Sequence, residues 1–153
     1  MTHTCLLVSD FNIAPLGGYL RNDAEWPNVD VVEAPHGIVE PVFLSEHPVW
    51  QSVPADAVAL VWTRPEAAAP SFAQLLRGIA SPVEVIEGEV DRFVDLLLSA
   101  GPRLRALLVP LWTLPPSART AGIGDFKVGG RQWALQRMNA RLVQRAGESA
   151  LLH

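Results

Sequence analysis

The stretch TCLLVSDFNIAPL, Thr4–Leu16, decides the fold. Leu6 to Val8 is a short all-apolar run, the pattern of a strand buried on both faces, as central strands of parallel α/β sheets are. It stops on Ser9, Asp10 and Asn12, where Asn12 is placed to cap a helix whose first turn tolerates Pro15. Leu16, Tyr19 and Leu20 then fall at i, i+3, i+4 and predict one buried helix face, which Gly17 and Gly18 weaken.

The same alternation continues outward from this stretch. Val29 to Val32 predicts a second strand, closed by APHG, and an irregular Pro-rich section runs from Pro35 to Pro54. Ala57 to Trp62 predicts a third strand, ending at Thr63 and Arg64. Phe72, Leu75, Leu76 and Ile79 predict a helix from about Pro70. Val90, Phe93, Val94 and Leu97 predict another over about Glu87–Ala100, stopped by Gly101-Pro102. Leu104 to Val109 predicts a fourth strand, with Trp112 and Thr113 just beyond it. A Gly-rich loop, SARTAGIGDFKVGG, leads to a last helix over about Gly130–Gly147. In that helix Leu135, Met138, Leu142 and Ala146 form an apolar stripe, and Arg137, Arg141 and Arg145 form a second stripe about 120° away. Strands alternating with helices argue an α/β domain around a parallel sheet, whose ligands sit outside the strand C-termini.

Composition narrows the function classes. At 153 residues the chain has the length of one domain. Its net charge of −4 is spread without a basic block, which argues against nucleic acid as a partner. Pro, Arg or Asp interrupts every apolar run before the roughly 20 residues of a membrane span, and no secretory leader pattern opens the chain, so a cytoplasmic, non-membrane location is expected. Cys5 is the single cysteine, which excludes an internal disulfide and a thiolate metal cluster. Metal-ligand spacing and phosphate-binding glycine motifs are missing, so neither a metal nor another cofactor is expected.

The strand-end rule gathers the polar residues into a candidate site. Ser9 is a candidate nucleophile beside Asp10, at a strand-to-helix turn whose backbone N–H groups suit an oxyanion. Equally, Ser9, Asp10 and Asn12 are residue types that simply satisfy a turn and a helix start. Arg64 offers a planar fork for a carboxylate or phosphate and Trp62 a flat wall, with Thr63 between them. Trp112 borders a long loop of the kind that forms lids. Asn139 interrupts the apolar stripe of the last helix and must find hydrogen-bond partners, which suits holding a loop in place better than catalysis. A serine hydrolase also needs a base. His36 and His47, both in the irregular section, are the candidates, since His3 and His153 are terminal.

The segments LLVSDFNIAPLGGYLR, DAVALVWTRPEAAAPSF, LLVPLWTLPP and ALQRMNARL resemble, in order and spacing, the N-terminal region of FkbH-like proteins. In that family an SGNH-hydrolase-like α/β domain precedes a haloacid-dehalogenase-like phosphatase domain. The resemblance implies a three-layer α/β sandwich with a mainly parallel sheet, related to flavodoxin-like folds, and a setting in natural-product or polysaccharide biosynthesis. Residues 1–153 would form a single such domain, short of its last strand and of the phosphatase-like domain of longer relatives. The D-x-D motif of that second domain is missing, so phosphatase activity is not expected. The order Ser9-Asp10-Phe11 differs from the G-D-S block of active SGNH hydrolases, and their late D-x-x-H block is missing. Two functions follow from the resemblance. One is an esterase or acyltransferase acting on an acyl ester or thioester, with a small acyl or glyceryl-type ligand at the strand ends. The other is a non-catalytic module that positions an acyl carrier protein or a separately encoded catalytic partner. The module reading predicts an exposed apolar patch, for which Trp26, Trp50 and Trp133 are candidates.

Overall fold

The computed structural model describes residues 3–23, 28–44, 47–118 and 122–153. Four strands, β1 (His3–Ser9), β2 (Val29–Glu33), β3 (Val58–Trp62) and β4 (Ala106–Leu108), form one wholly parallel sheet in the order β2-β1-β3-β4. The α/β class with a parallel sheet is therefore as expected, and the order 2-1-3-4 is the flavodoxin-like one. Its topological switch lies between β1 and β3, where the chain leaves β1 for one side of the sheet and returns on the other. Beyond β4 the sheet continues through a parallel bridge between Leu107 and Leu152. The Leu107 N–H donates to the Leu151 carbonyl at 2.8 Å and the His153 N–H to the Leu107 carbonyl at 2.8 Å.

Two compact units make up the chain. The first is Met1–Trp62 with Leu96–Pro110 and Ser149–His153, and it holds the whole sheet. Here α1 (Ala14–Asn22) packs close to β2 through Gly17, where a Cβ would run into the Glu33 carboxylate and touch Leu7. This corrects the sequence reading of α1. Its buried contact is the glycine, whereas Tyr19 is exposed and Leu16 and Leu20 are only half-buried. Arg21 of α1 pairs with Glu33 at 2.7 Å and donates to the Val31 carbonyl at 3.1 Å, fixing the helix to that edge strand. The irregular section contains α2 (Val39–Leu44) and a 3-10 turn at Pro48–Ser52.

The second unit is Thr63–Asp95 with Leu111–Glu148. It contains α3 (Pro65–Ala68), α4 (Pro70–Leu76), α5 (Val83–Ser99) as far as Asp95, and α6 (Arg131–Gly147). The α4 helix ends before Ile79, which is exposed, so the expected apolar stripe is one turn shorter. Glu89 of α5 caps α4: its carboxylate accepts the Ser71 N–H at 2.9 Å and the Ser71 hydroxyl at 2.8 Å. Within this unit α5 and α6 run parallel, because three pairs separated by a constant fifty residues join them. Arg137 pairs with Glu87 at 2.7 Å, Arg141 with Asp91 at 2.7 Å and Arg145 with Asp95 at 2.7 Å. Glu87, Asp91 and Asp95 repeat every four residues, as do the three arginines, so each stripe lies along one helix face. The stripe of arginines seen in the sequence is thus one half of a structural ladder.

Candidate functional site

In the first unit Ser9, at the end of β1, lies beside Trp62 of β3 at the switch between those strands, whereas Thr63, Arg64, Trp112 and Asn139 belong to the second unit. Ser9 and Trp62 are register partners on adjacent strands, so their side chains point to the same face. Ser9 is 2% exposed, and its hydroxyl accepts the Phe11 N–H at 3.1 Å. That bond closes the turn after β1 and tips the Phe11 ring against Trp62, edge-on at a centroid distance of 5.9 Å. The cap position of α1 is Ile13 and not Asn12 as expected; Asn12 stands one residue before it and accepts the Ala14 N–H at 3.0 Å in a local turn. The loop after β2 reaches the same edge: Gly37, at φ +89°, donates its N–H to the Ser9 carbonyl at 2.9 Å. A glycine fits there because a side chain in that left-handed region is strained. The exposed His36 stands one residue before this staple.

The second candidate base is engaged elsewhere. His47 Nδ1 accepts the Val49 N–H at 3.2 Å and caps the 3-10 turn that follows it. Trp50, in that turn, is also committed internally. Its indole donates to the Val42 carbonyl at 2.8 Å, its ring meets Phe43 edge-on at 6.1 Å, and Arg103 lies 5.5 Å over it. Trp50 and Trp133 are half-buried and Trp26 lies outside the described residues, so the tryptophans do not supply the expected patch among the described residues.

In the second unit Asn139, Trp112 and Thr63 come together as a closed polar knot. The Asn139 side chain accepts the Trp112 N–H at 2.9 Å and donates to the Trp112 carbonyl at 2.8 Å, copying the pairing a neighbouring strand would give. The Trp112 indole donates to the Thr63 hydroxyl at 3.1 Å, and its ring packs on Phe93 at 5.8 Å. Trp112 and Thr63 are both buried. Asn139 thus holds a loop, one of the two roles its place in the apolar stripe allowed. Arg64 is exposed at the start of α3, where its carbonyl accepts the Ala67 and Ala68 N–H groups.

No protein-family model matches the sequence, and no curated protein matches it. In fold it is similar to the N-terminal part of the protein BF1531 from Bacteroides fragilis, described as containing a phosphatase domain complexed with Mg. The TM-score is 0.68 at 16% sequence identity, with 99% of this chain covered. The chain spans 39% of that protein's chain. The likeness supports the α/β sandwich class.

The shifted titrations lie away from the strand ends. Hydrogen bonding to Arg141 and, more weakly, to Arg145 holds the Asp91 carboxyl below the usual carboxylate range, against burial, which acts to raise it. Arg131 does the same for Asp125. Burial pushes the Cys5 thiol up, which suppresses the thiolate needed for nucleophilic or metal chemistry. Among the described residues no group of three or more His, Cys, Asp or Glu side chains is placed to hold a metal ion, and no helix is long and apolar enough to cross a membrane.

One surface of the second unit was missed in the sequence. In the Gly-rich loop, Ile123 is 81% exposed, Phe126 55% and Val128 84%, around Lys127, the chain's only lysine. The loop is braced. Asp125 takes Arg131 in a bidentate pair at 2.8 and 2.8 Å, and Gly130, where a Cβ would collide with the Asp125 backbone, donates to the Lys127 carbonyl at 2.8 Å. Its three large apolar side chains are therefore held outward by a fixed backbone. The signal was in the letters: apolar residues in a loop without helical or strand period have no core face to join.

Proposed function

We propose that this chain is a non-catalytic assembly module of a natural-product or polysaccharide pathway, related to the N-terminal domain of FkbH-like proteins. It positions an acyl carrier protein through the loop Ile123–Val128. The observation that carries this reading is the braced loop, which displays three apolar side chains around one lysine while its Asp125 carboxylate is held by Arg131 of α6. An acidic carrier protein with an apolar helix face complements such a patch in shape and charge.

The acyl-hydrolase reading finds less support. The Ser9 hydroxyl serves the turn after β1, His47 serves a 3-10 turn, and Asn139 and Thr63 serve Trp112. A hydrolase needs a nucleophile–base hydrogen bond and a group orienting the base. Labelling with a fluorophosphonate probe separates the readings: the module leaves Ser9 unlabelled. Labelling that disappears in Ser9→Ala would overturn the non-catalytic assignment.

A further inference from the structure

We infer that Arg131 is the positioning residue of the docking loop: its pair with Asp125 is a latch that holds Ile123–Val128 in the one conformation that presents the patch, and carrier affinity depends on it. The inference rests on the assembly reading and deepens it. Arg131 is the first residue of α6, where the partial positive charge of a helix N-terminus disfavours a cation. Gly130, at the cap position, has no side chain to satisfy the first N–H groups, and the first turn holds no acid. The helix alone gives no reason for an arginine there.

Asp125 gives one. Arg131 Nε and Nη2 each donate to a separate oxygen of its carboxylate at 2.8 Å, the two-bond fork that a guanidinium supplies and an ammonium does not. The Asp125 side chain is 14% exposed and that of Arg131 28%, so the pair is withdrawn from solvent while Ile123, Phe126, Lys127 and Val128 stand out.

Without the latch the loop has little to hold it. The Asp125 N–H donates to the Gly122 carbonyl at 3.0 Å, the Lys127 N–H to the Gly124 carbonyl at 3.2 Å and the Gly130 N–H to the Lys127 carbonyl at 2.8 Å. Each is a three-residue turn, a geometry that does not sustain itself in short pieces. Four of the nine residues from Gly122 to Gly130 are glycine, so the open loop has many conformations to spread into. A latch that removes them before the carrier arrives spares binding that ordering cost. Breaking it keeps the patch residues in the sequence and scatters them in space.

Lys127 makes the latch measurable, because the protease Lys-C cuts after lysine and the chain has one. Cutting requires the loop to open, and the rate follows the open population. Arg131→Gln should be cut between Lys127 and Val128 at least tenfold faster than the native chain, and should bind the holo carrier at least fivefold more weakly. Asp125→Asn and the double variant should show the same changes as Arg131→Gln and not their product, since two halves of one latch fail together. Arg131→Lys, which keeps the charge without the fork, should fall short of native behaviour in both measurements. Thr63→Val is the control, because it weakens the Trp112 knot and leaves the loop untouched. Cutting of Arg131→Gln at the native rate would overturn the inference, as would equally fast cutting of Thr63→Val or equal carrier affinity for the native chain and Arg131→Gln. A native chain that binds no carrier overturns the assembly reading, and the cutting rates then still decide whether Arg131 latches the loop.

Discussion

Two loops of the second unit treat their side chains in opposite ways. At Trp112 the side chain turns inward: the indole reaches Thr63, the backbone is paired by Asn139, and the ring packs on Phe93. Along Ile123–Val128 the Asp125 carboxylate is tied to Arg131, while Ile123, Phe126, Lys127 and Val128 are exposed. The Trp112 loop has the residue types of a chemical site and is structural. The Ile123–Val128 loop has the composition of a plain connection and is built as a surface. Exposed large apolar patches carry functional information that buried, satisfied polar groups do not.

That contrast breaks first at Asn139. Asn139→Ala leaves a buried N–H and carbonyl unpaired and should cost about 2–3 kcal/mol in urea unfolding. An unchanged midpoint would mean that the knot is not structural. Thr63→Val removes only the acceptor of the Trp112 indole and should cost about 1–2 kcal/mol by the same measurement.

Acid sharpens the comparison through the α5–α6 ladder. Asp91 is depressed in the folded state, so its contribution is present above the ordinary carboxylate value of about 3.9 and is lost as pH falls through its lower folded value. Stability measured from pH 5 down to pH 2 should therefore decline, and Asp91→Asn should flatten that decline. Because the pairs are partly exposed, added salt should weaken the effect. The smallest effect belongs to the other loop. Ile123→Ser, Phe126→Ser and Val128→Ser should each move stability by less than about 0.5 kcal/mol, as substitutions of exposed residues do.

Much of this architecture was legible in the sequence because its signals are local. The all-apolar runs of β1 and β3, and the periodic stripes of α5 and α6, depend on near neighbours and appeared where expected. β4 is shorter than its apolar run, since Leu104 and Arg105 precede the ladder and Val109 follows it. The role of Gly17 was hidden because it depends on Glu33, which comes from another element. Asn139 was legible as a problem needing partners, but Trp112 as the solution lies 27 residues away. The arginine stripe of α6 was visible in the sequence, but its acidic half, Glu87, Asp91 and Asp95 of α5, was not read there because the pairs join residues fifty positions apart. The loop patch was readable in principle, as apolar residues with no period, but attention to tryptophans led to Trp50, which Phe43 and Arg103 cover.

The central claim is that Ile123–Val128 docks a carrier protein. Isothermal titration of a holo acyl carrier protein tests it most directly, comparing the native chain with one carrying Ile123→Ser, Phe126→Ser and Val128→Ser together. Micromolar binding by the native chain is expected, with at least tenfold weaker binding by the variant at unchanged stability. Equal affinity for the two proteins, or no binding by either, would contradict it.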